Sequence, residues 1–209
     1  MKENKSLFLY LFSFFVASLI FLTIIDTGDM VIFFSNHRSD FWNNFFKISN
    51  YLGEEWAFII AGLILLKFNF RHTIGVGITA LVVTIITQSL KFAFKHPRPM
   101  LFFQNEGIAE QIMLVEGIFP NMGTNSFPSG HTAAAFALFV FLAFIFKEKK
   151  WIPLILITLA ILGGMARVYL VQHFYKDVVF GAFTGIMAAM ISFYFQKLLW
   201  KNNISSLPF

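Results

Sequence analysis

The chain reads as long apolar runs broken by short polar ones. Ser6 to Ile25 carries no charge over 20 residues, the length a helix needs to cross a bilayer. No small-residue cleavage site precedes Asp26, so the run reads as a retained anchor and not a signal peptide. Five more apolar segments follow: Trp56 to Leu66, Thr73 to Leu90, Thr132 to Phe146, Trp151 to Ala166 and Val178 to Gln196. The second is short for a span, but a snorkelling Lys67 would let its helix run on to Phe70. The pattern predicts an all-α fold: a polytopic membrane bundle of six transmembrane helices forming a single integral-membrane domain over residues 1–209. No internal repeat, low-complexity tract or linker interrupts it.

One polar-aromatic stretch lies between the first two spans. Phe41, Phe45, Ile48 and Leu52 fall at i, i+4, i+7 and i+11, with Asp40, Asn43, Asn44 and Lys47 between them. Trp42 and Phe46 widen the apolar face. This periodicity predicts an amphipathic helix. Two placements stand open: flat on the outer membrane surface, or packed on the bundle as a loop helix.

Composition supports a membrane protein. Hydrophobic residues make up 57% of the chain and charged ones 13%, where a soluble domain carries about a quarter charged. There is no Cys, which excludes a disulfide scaffold and a thiolate metal site. The net charge of +5 could point to nucleic acid, but its distribution points to topology and away from a nucleic-acid partner. With six spans, the side holding the termini carries Lys2, Lys5, Lys67, Arg71, Lys147, Lys149, Lys150, Lys197 and Lys201 against Glu3 and Glu148. The balance there is +7, and −2 on the other side. The positive-inside rule then puts both termini in the cytoplasm of a cell (inner) membrane. The basic residues of the outer side are Arg38, Lys47, Lys91, Lys95, Arg98, Arg167 and Lys176, and most of them crowd span ends.

Three outer segments carry chemistry. The third span ends in Lys91-Phe-Ala-Phe-Lys-His-Pro-Arg98-Pro99. Pro97 disfavours helix at His96, and Lys91 falls inside the last helical turns, where an unpaired charge is expensive. Snorkelling anchors are the bland alternative. The fourth span opens with Pro128-Ser129-Gly130-His131, whose free N–H groups and helix dipole suit an anion. A plain Ser129 N-cap with an interfacial His131 is the alternative. Between the last two spans lie Arg167, His173 and Asp177. His173 and Asp177 are four apart and can share a helix face, which would fix the imidazole tautomer and free the other nitrogen. A structural pair capping a loop is the alternative here. Arg167 and His173 are six apart and need a break in the helix before both can point inward.

Together these segments assemble a readable site. Lys91, Arg98 and Arg167 would neutralise a multiply charged anion. Ser129 and the N–H groups of Gly130 and His131 would donate to it. His173, oriented by Asp177, would be a nucleophile, and His131 would protonate a leaving alkoxide. That set describes phosphoryl transfer through a covalent histidine intermediate. It calls for no metal and no cofactor, because the cations carry the charge neutralisation.

The chain here resembles the type 2 phosphatidic acid phosphatases, or lipid phosphate phosphatases, in their bacterial membrane branch. The family pattern of Lys, six residues, Arg-Pro is matched by Lys91, Arg98 and Pro99. Pro-Ser-Gly-His is matched by Pro128 to His131. In the pattern Ser-Arg, five residues, His, three residues, Asp, the chain matches Arg167, His173 and Asp177 but has Ala166 at the serine position. That substitution removes one possible hydrogen bond near the site, and activity is expected to survive it. The resemblance implies that His173 forms a phosphohistidine, held by Asp177, and that His131 protonates the leaving oxygen. It implies that Lys91, Arg98, Ser129, Gly130 and Arg167 bind phosphate without metal.

Charge sorting puts the site on the periplasmic or outer side. The substrate would then be a lipid phosphate in the outer leaflet. The family resemblance suggests undecaprenyl diphosphate, phosphatidylglycerol phosphate, phosphatidic acid and a lipid A phosphate as candidates. The loop from Met100 to Phe127 has Glu106, Glu110 and Glu116 but no Lys or Arg, and is expected to lie over the site and select head groups. Two other functions stay open: a phosphotransferase to a different acceptor, and a non-catalytic protein that binds or transports lipid phosphates.

Overall fold

The computed structural model describes residues 5–200, and among these it is all helix with no strand. The helices are α1 (Lys5–Leu22), α2 (Asp29–Asn36), α3 (Asp40–Asn50), α4 (Glu55–Leu66), α5 (Phe70–Phe94), α6 (Pro99–Asn105), α7 (Gly130–Ile145), α8 (Ile152–Tyr169) and α9 (Tyr175–Leu199). Each of the six apolar runs became a helix: α1, α4, α5, α7, α8 and α9. By length and composition three stretches suffice to cross a membrane: Phe70–Asn105, Ile152–Tyr169 and Tyr175–Leu199. The apolar parts of α1, α4 and α7 are shorter.

Some boundaries moved for local reasons. The second apolar helix stops at Leu66 and does not run on to Phe70, because Asn69 caps the next helix, accepting from the Arg71 N–H at 3.0 Å. α5 ends at Phe94, and Lys95 closes it with φ 41°. α2 and α6 fall in segments too short and mixed to show a clear period.

α7 is the centre of the bundle. From Thr132 to Ala143 it is buried on nearly every face, between α5, α8 and α9. Small residues let the neighbours approach. A Cβ on Gly181 would sit 2.6 Å from the Ser129 carbonyl oxygen, and one on Gly185 would collide with the Ala133 carbonyl oxygen. Close backbone approach at small residues is how helices associate where lipid supplies no hydrophobic drive. The outer surface is apolar instead, with Phe12, Ile60, Leu63, Leu81, Ile85, Phe183 and Met190 exposed. An apolar exterior of this extent suits a bilayer and not water.

α3 covers the amphipathic stretch but does not put all its apolar residues on one exposed face. Phe46 is buried and stacks on Tyr169 of α8, ring centroids 4.4 Å apart. Ser49 is also buried, while Phe41 and Ile48 stay exposed. Asn43 accepts from the Tyr169 hydroxyl at 2.8 Å. The helix therefore packs on the bundle through Phe46 and its polar residues, and turns an aromatic edge outward.

Candidate active site

The predicted residues meet at one end of the bundle, where α5 and α8 end and α7 and α9 begin. The turn between α8 and α9 makes this possible. Val171 adopts φ 59°, a left-handed conformation costly for a β-branched residue. The N–H groups of Gln172 and His173 both reach the Arg167 carbonyl, at 2.9 and 3.2 Å. The helix thus breaks after Tyr169, and Arg167 and His173 face one site despite their spacing of six.

His173 is 1% exposed and Asp177 fully buried. The His173 Nδ1 stands 3.6 Å from Asp177 Oδ2, too long for a good direct hydrogen bond. A residue outside the predicted set fills the gap. The Ser126 hydroxyl donates to Asp177 Oδ2 at 2.6 Å and lies 3.3 Å from His173 Nδ1. The Phe174 N–H also donates to Oδ2, at 3.0 Å, so Asp177 caps the start of α9 while facing the imidazole. With Nδ1–H assigned to this side, Nε2 is the unprotonated nitrogen. Burial is the main cause that pushes the His173 pKa down to about 3; Asp177 opposes it, and Arg167 and Arg98 add to it. The imidazole is therefore neutral at physiological pH.

The cations surround this pair. Lys91 is half-buried at the end of α5, and a Cβ on Gly130 would lie 3.5 Å from its Nζ. Arg98 is 7% exposed; its Nε donates to Asn125 Oδ1 at 2.9 Å and its NH1 to the Gln172 carbonyl at 3.2 Å. Arg167 is equally buried; its NH1 donates to Asn50 Oδ1, and its Nε has no partner among the described residues. His131 lies within electrostatic reach of Arg167, His173, Lys91 and Arg98. Three buried or half-buried cations thus converge on one place, an arrangement chemically suited to a multiply charged anion.

At the start of α7 Ser129 is an N-cap. Its hydroxyl accepts from the Thr132 N–H at 3.4 Å and the Thr132 hydroxyl at 2.8 Å. Its N–H is spent on the Asp177 carbonyl at 3.0 Å, so the donors Ser129 retains reduce to its hydroxyl hydrogen. The N–H groups of Gly130 and His131 lie in the first turn, beyond any helical carbonyl.

Ala166 is buried in an apolar cluster with Phe46, Val115, Tyr169 and Leu170. The Met100–Phe127 loop contains α6 and a short 3-10 turn at Ala109–Gln111. It is tied to the site by Asn125, by the Gly123 carbonyl accepting the Arg98 N–H at 3.0 Å, and by the Phe119 carbonyl accepting from Gln172 at 3.1 Å. Its Glu106, Glu110 and Glu116 are exposed. Among the described residues no three His, Asp or Glu side chains group as a metal cluster.

Ser126, Asn50 and Asn125 escaped sequence reasoning. Ser126 stands two residues before Pro128 and reads as loop; only its proximity to the Pro-Ser-Gly-His run hinted at it.

The site can be set beside known proteins. The profile of the PAP2 superfamily matches residues 72–201. The lipid A 4'-phosphatase of Bacteroides thetaiotaomicron is 30% identical over 196 residues, covering 90% of this chain and 84% of that one. The undecaprenyl-diphosphatase BcrC of Bacillus subtilis is 27% identical over 154 residues, covering 69% and 72%. The crystal structure of Aquifex aeolicus LpxE superposes with a TM-score of 0.68 at 30% identity, covering 80% of this chain and 94% of that one.

Proposed function

We propose, from the premise that the chain belongs to the PAP2 superfamily and is a membrane phosphatase of lipid metabolism, that it removes the head-group phosphate of a lipid through a phosphohistidine. One observation carries the reading: a buried neutral imidazole, backed by Ser126 and Asp177, stands among Lys91, Arg98 and Arg167. Mere anion binding needs cations and donors but no oriented, unprotonated imidazole.

The chemistry follows from the atoms. Phosphate oxygens lie against Lys91, Arg98, Arg167, the Ser129 hydroxyl and the N–H groups of Gly130 and His131. His173 Nε2 attacks phosphorus in line with the leaving oxygen. The P–O bond breaks as the N–P bond forms, and His131, entering the step as an imidazolium once the substrate's negative charge offsets the neighbouring cations, gives the leaving oxygen its proton and becomes neutral. Charge developing on the equatorial oxygens meets donors already in place, which is where most of the rate enhancement resides. As Nε2 takes on positive character, Asp177 stabilises the Nδ1–H through Ser126. Water, deprotonated by His131, then attacks phosphorus, the N–P bond breaks, and inorganic phosphate leaves. Neutralisation by three cations leaves no step that requires a metal.

Charge sorting supports a site on the outer, non-cytoplasmic face of the cell membrane, with cytoplasmic termini. A relative that covers 90% of this chain makes a lipid A 4'-phosphate the first substrate to test, and undecaprenyl diphosphate is the second. Phosphatidylglycerol phosphate and phosphatidic acid complete the panel.

The protein purified in detergent, given this panel with chelator present, is expected to release phosphate from at least one lipid. His173→Ala is expected to release none, and vanadate to inhibit as a mimic of five-coordinate phosphorus. Full activity in His173→Ala would sink the mechanism. Phosphate appearing on an added alcohol in place of water would favour a phosphotransferase.

A further inference from the structure

We infer that Asn50 and Glu54 are positioning residues that aim Arg167 at the substrate phosphate. This rests on the phosphatase reading of the site. Neither residue lies in the motifs, and both precede the stretch matched by the superfamily profile.

Arg167 is a buried cation with no carboxylate in direct contact among the described residues. Its NH1 donates to Asn50 Oδ1. The same amide donates through Nδ2 to Glu54 Oε1 at 2.7 Å, and Glu54 is the carboxylate whose charge reaches Arg167. The amide's direction is set by its partners: oxygen to the guanidinium, nitrogen to the carboxylate. The neutral amide thus holds the guanidinium without neutralising it. An aspartate at 50 would pair with Arg167 outright and compete with phosphate for it. The edge that Asn50 does not occupy includes the buried, unpartnered Nε. A planar guanidinium held by NH1 offers its remaining edge to a tetrahedral oxyanion, the bidentate geometry that makes arginine a phosphate ligand.

The holder is itself anchored. Between Asn50 and Glu54 lies the 3-10 turn Tyr51–Gly53. A Cβ on Gly53 would stand 2.5 Å from the His131 carbonyl oxygen, so this turn sits flush on the first turn of α7. One short segment therefore references Arg167 to the end of the site that carries His131. Arg98 has a parallel holder in Asn125, but that contact lies on the loop and has no carboxylate behind it among the described hydrogen bonds.

The test uses the full-length protein in detergent with orthovanadate as probe, read as a thermal shift and as inhibition, alongside KM and kcat on the panel lipid that turns over. Asn50→Asp is expected to raise KM and the vanadate inhibition constant by about tenfold or more, with kcat within about threefold, a loss matching one charge-assisted hydrogen bond. Asn50→Ala and Glu54→Ala, which removes the acceptor that orients the Asn50 amide, are expected to shift both constants in the same direction by less. In an Arg167→Ala background, Asn50→Asp is expected to add nothing, which a general folding defect would not reproduce. If Asn50→Asp does not fold, Glu54→Ala, which leaves Asn50 and Arg167 in place and removes only the acceptor behind them, carries the same comparison. Wild-type vanadate binding in Asn50→Asp and Glu54→Ala, or equal losses with and without Arg167, would overturn the inference. A wild-type protein that neither binds vanadate nor releases phosphate would instead overturn the phosphatase reading beneath it.

Discussion

Ser126 links an imidazole and a carboxylate that do not touch well by themselves. Its hydroxyl is buried, 2.6 Å from Asp177 and 3.3 Å from His173. Ser126→Ala should lower turnover about tenfold, the scale of a hydrogen bond to a charged group, and Ser126→Thr should restore part of it. Asp177→Asn should cost about a hundredfold or more. If both act on His173, the double variant should fall little below Asp177→Asn alone; additive losses in the phosphate-release assay would separate the two residues. The protonation state of His173 is a second residue-scale expectation. Its pKa is pushed down to about 3 by burial, so the charged form gains population only as pH falls toward that value. In 15N-histidine NMR the His173 ring should therefore remain a neutral Nδ1–H tautomer at pH 5, where an ordinary histidine is mostly protonated. An imidazolium signal at pH 5 would contradict the buried geometry. Lys91, Arg98, Ser129, Gly130, His131, Arg167, His173 and Asp177 were legible in the chain as candidates because they cluster at span ends in three spaced motifs. Ser126 and Asn50 were not, because a serine or asparagine in a polar loop belongs to no such motif.

At the scale of the element, α7 and α9 hold the site by lying unusually close. Gly181 and Gly185 on α9 face carbonyls of Ser129 and Ala133 on α7. Gly185→Val should force the helices apart and destabilise the protein by about 1–3 kcal/mol or more, seen as a lower melting temperature in detergent. Gly77→Ala on α5, where a Cβ meets nothing within 4 Å, should leave that temperature unchanged. An unmoved melting temperature in Gly185→Val would show that the α7–α9 seam can open without cost. The apolar runs announced these helices, but not their contacts, since a run buried among helices and one facing lipid are equally apolar. α3 illustrates the same limit. Its period was visible, yet its inward face is a mixture: Phe46 stacked on Tyr169, with Asn43 and Asn50 bonded to α8.

For the whole molecule the expectation is a site on the outer face of the membrane, and labelling tests it. The chain has no cysteine, so single introduced cysteines report accessibility cleanly. In spheroplasts, Phe119→Cys, at a loop position 88% exposed near the site, should react with an impermeant maleimide. Lys149→Cys, in the exposed turn after α7, should react only after lysis. The opposite pattern would move the site to the cytoplasmic face and exclude outer-leaflet substrates.

The amino-acid order alone determined the helical class, the apolar character that suits a membrane, and the candidate residues for a phosphate site. Those follow from local rules: apolar length against bilayer thickness, charge cost near span ends, and motif spacing. Only the tertiary structure decided how these residues are held. The left-handed turn at Val171 brings Arg167 and His173 to one side, Ser126 closes the distance between His173 and Asp177, and Asn50 with Glu54 takes hold of Arg167 from a helix more than a hundred residues earlier in the chain. Such contacts join residues distant in sequence through side chains whose types are common in any loop. No periodicity or spacing records them, and only packing brings them within hydrogen-bond reach.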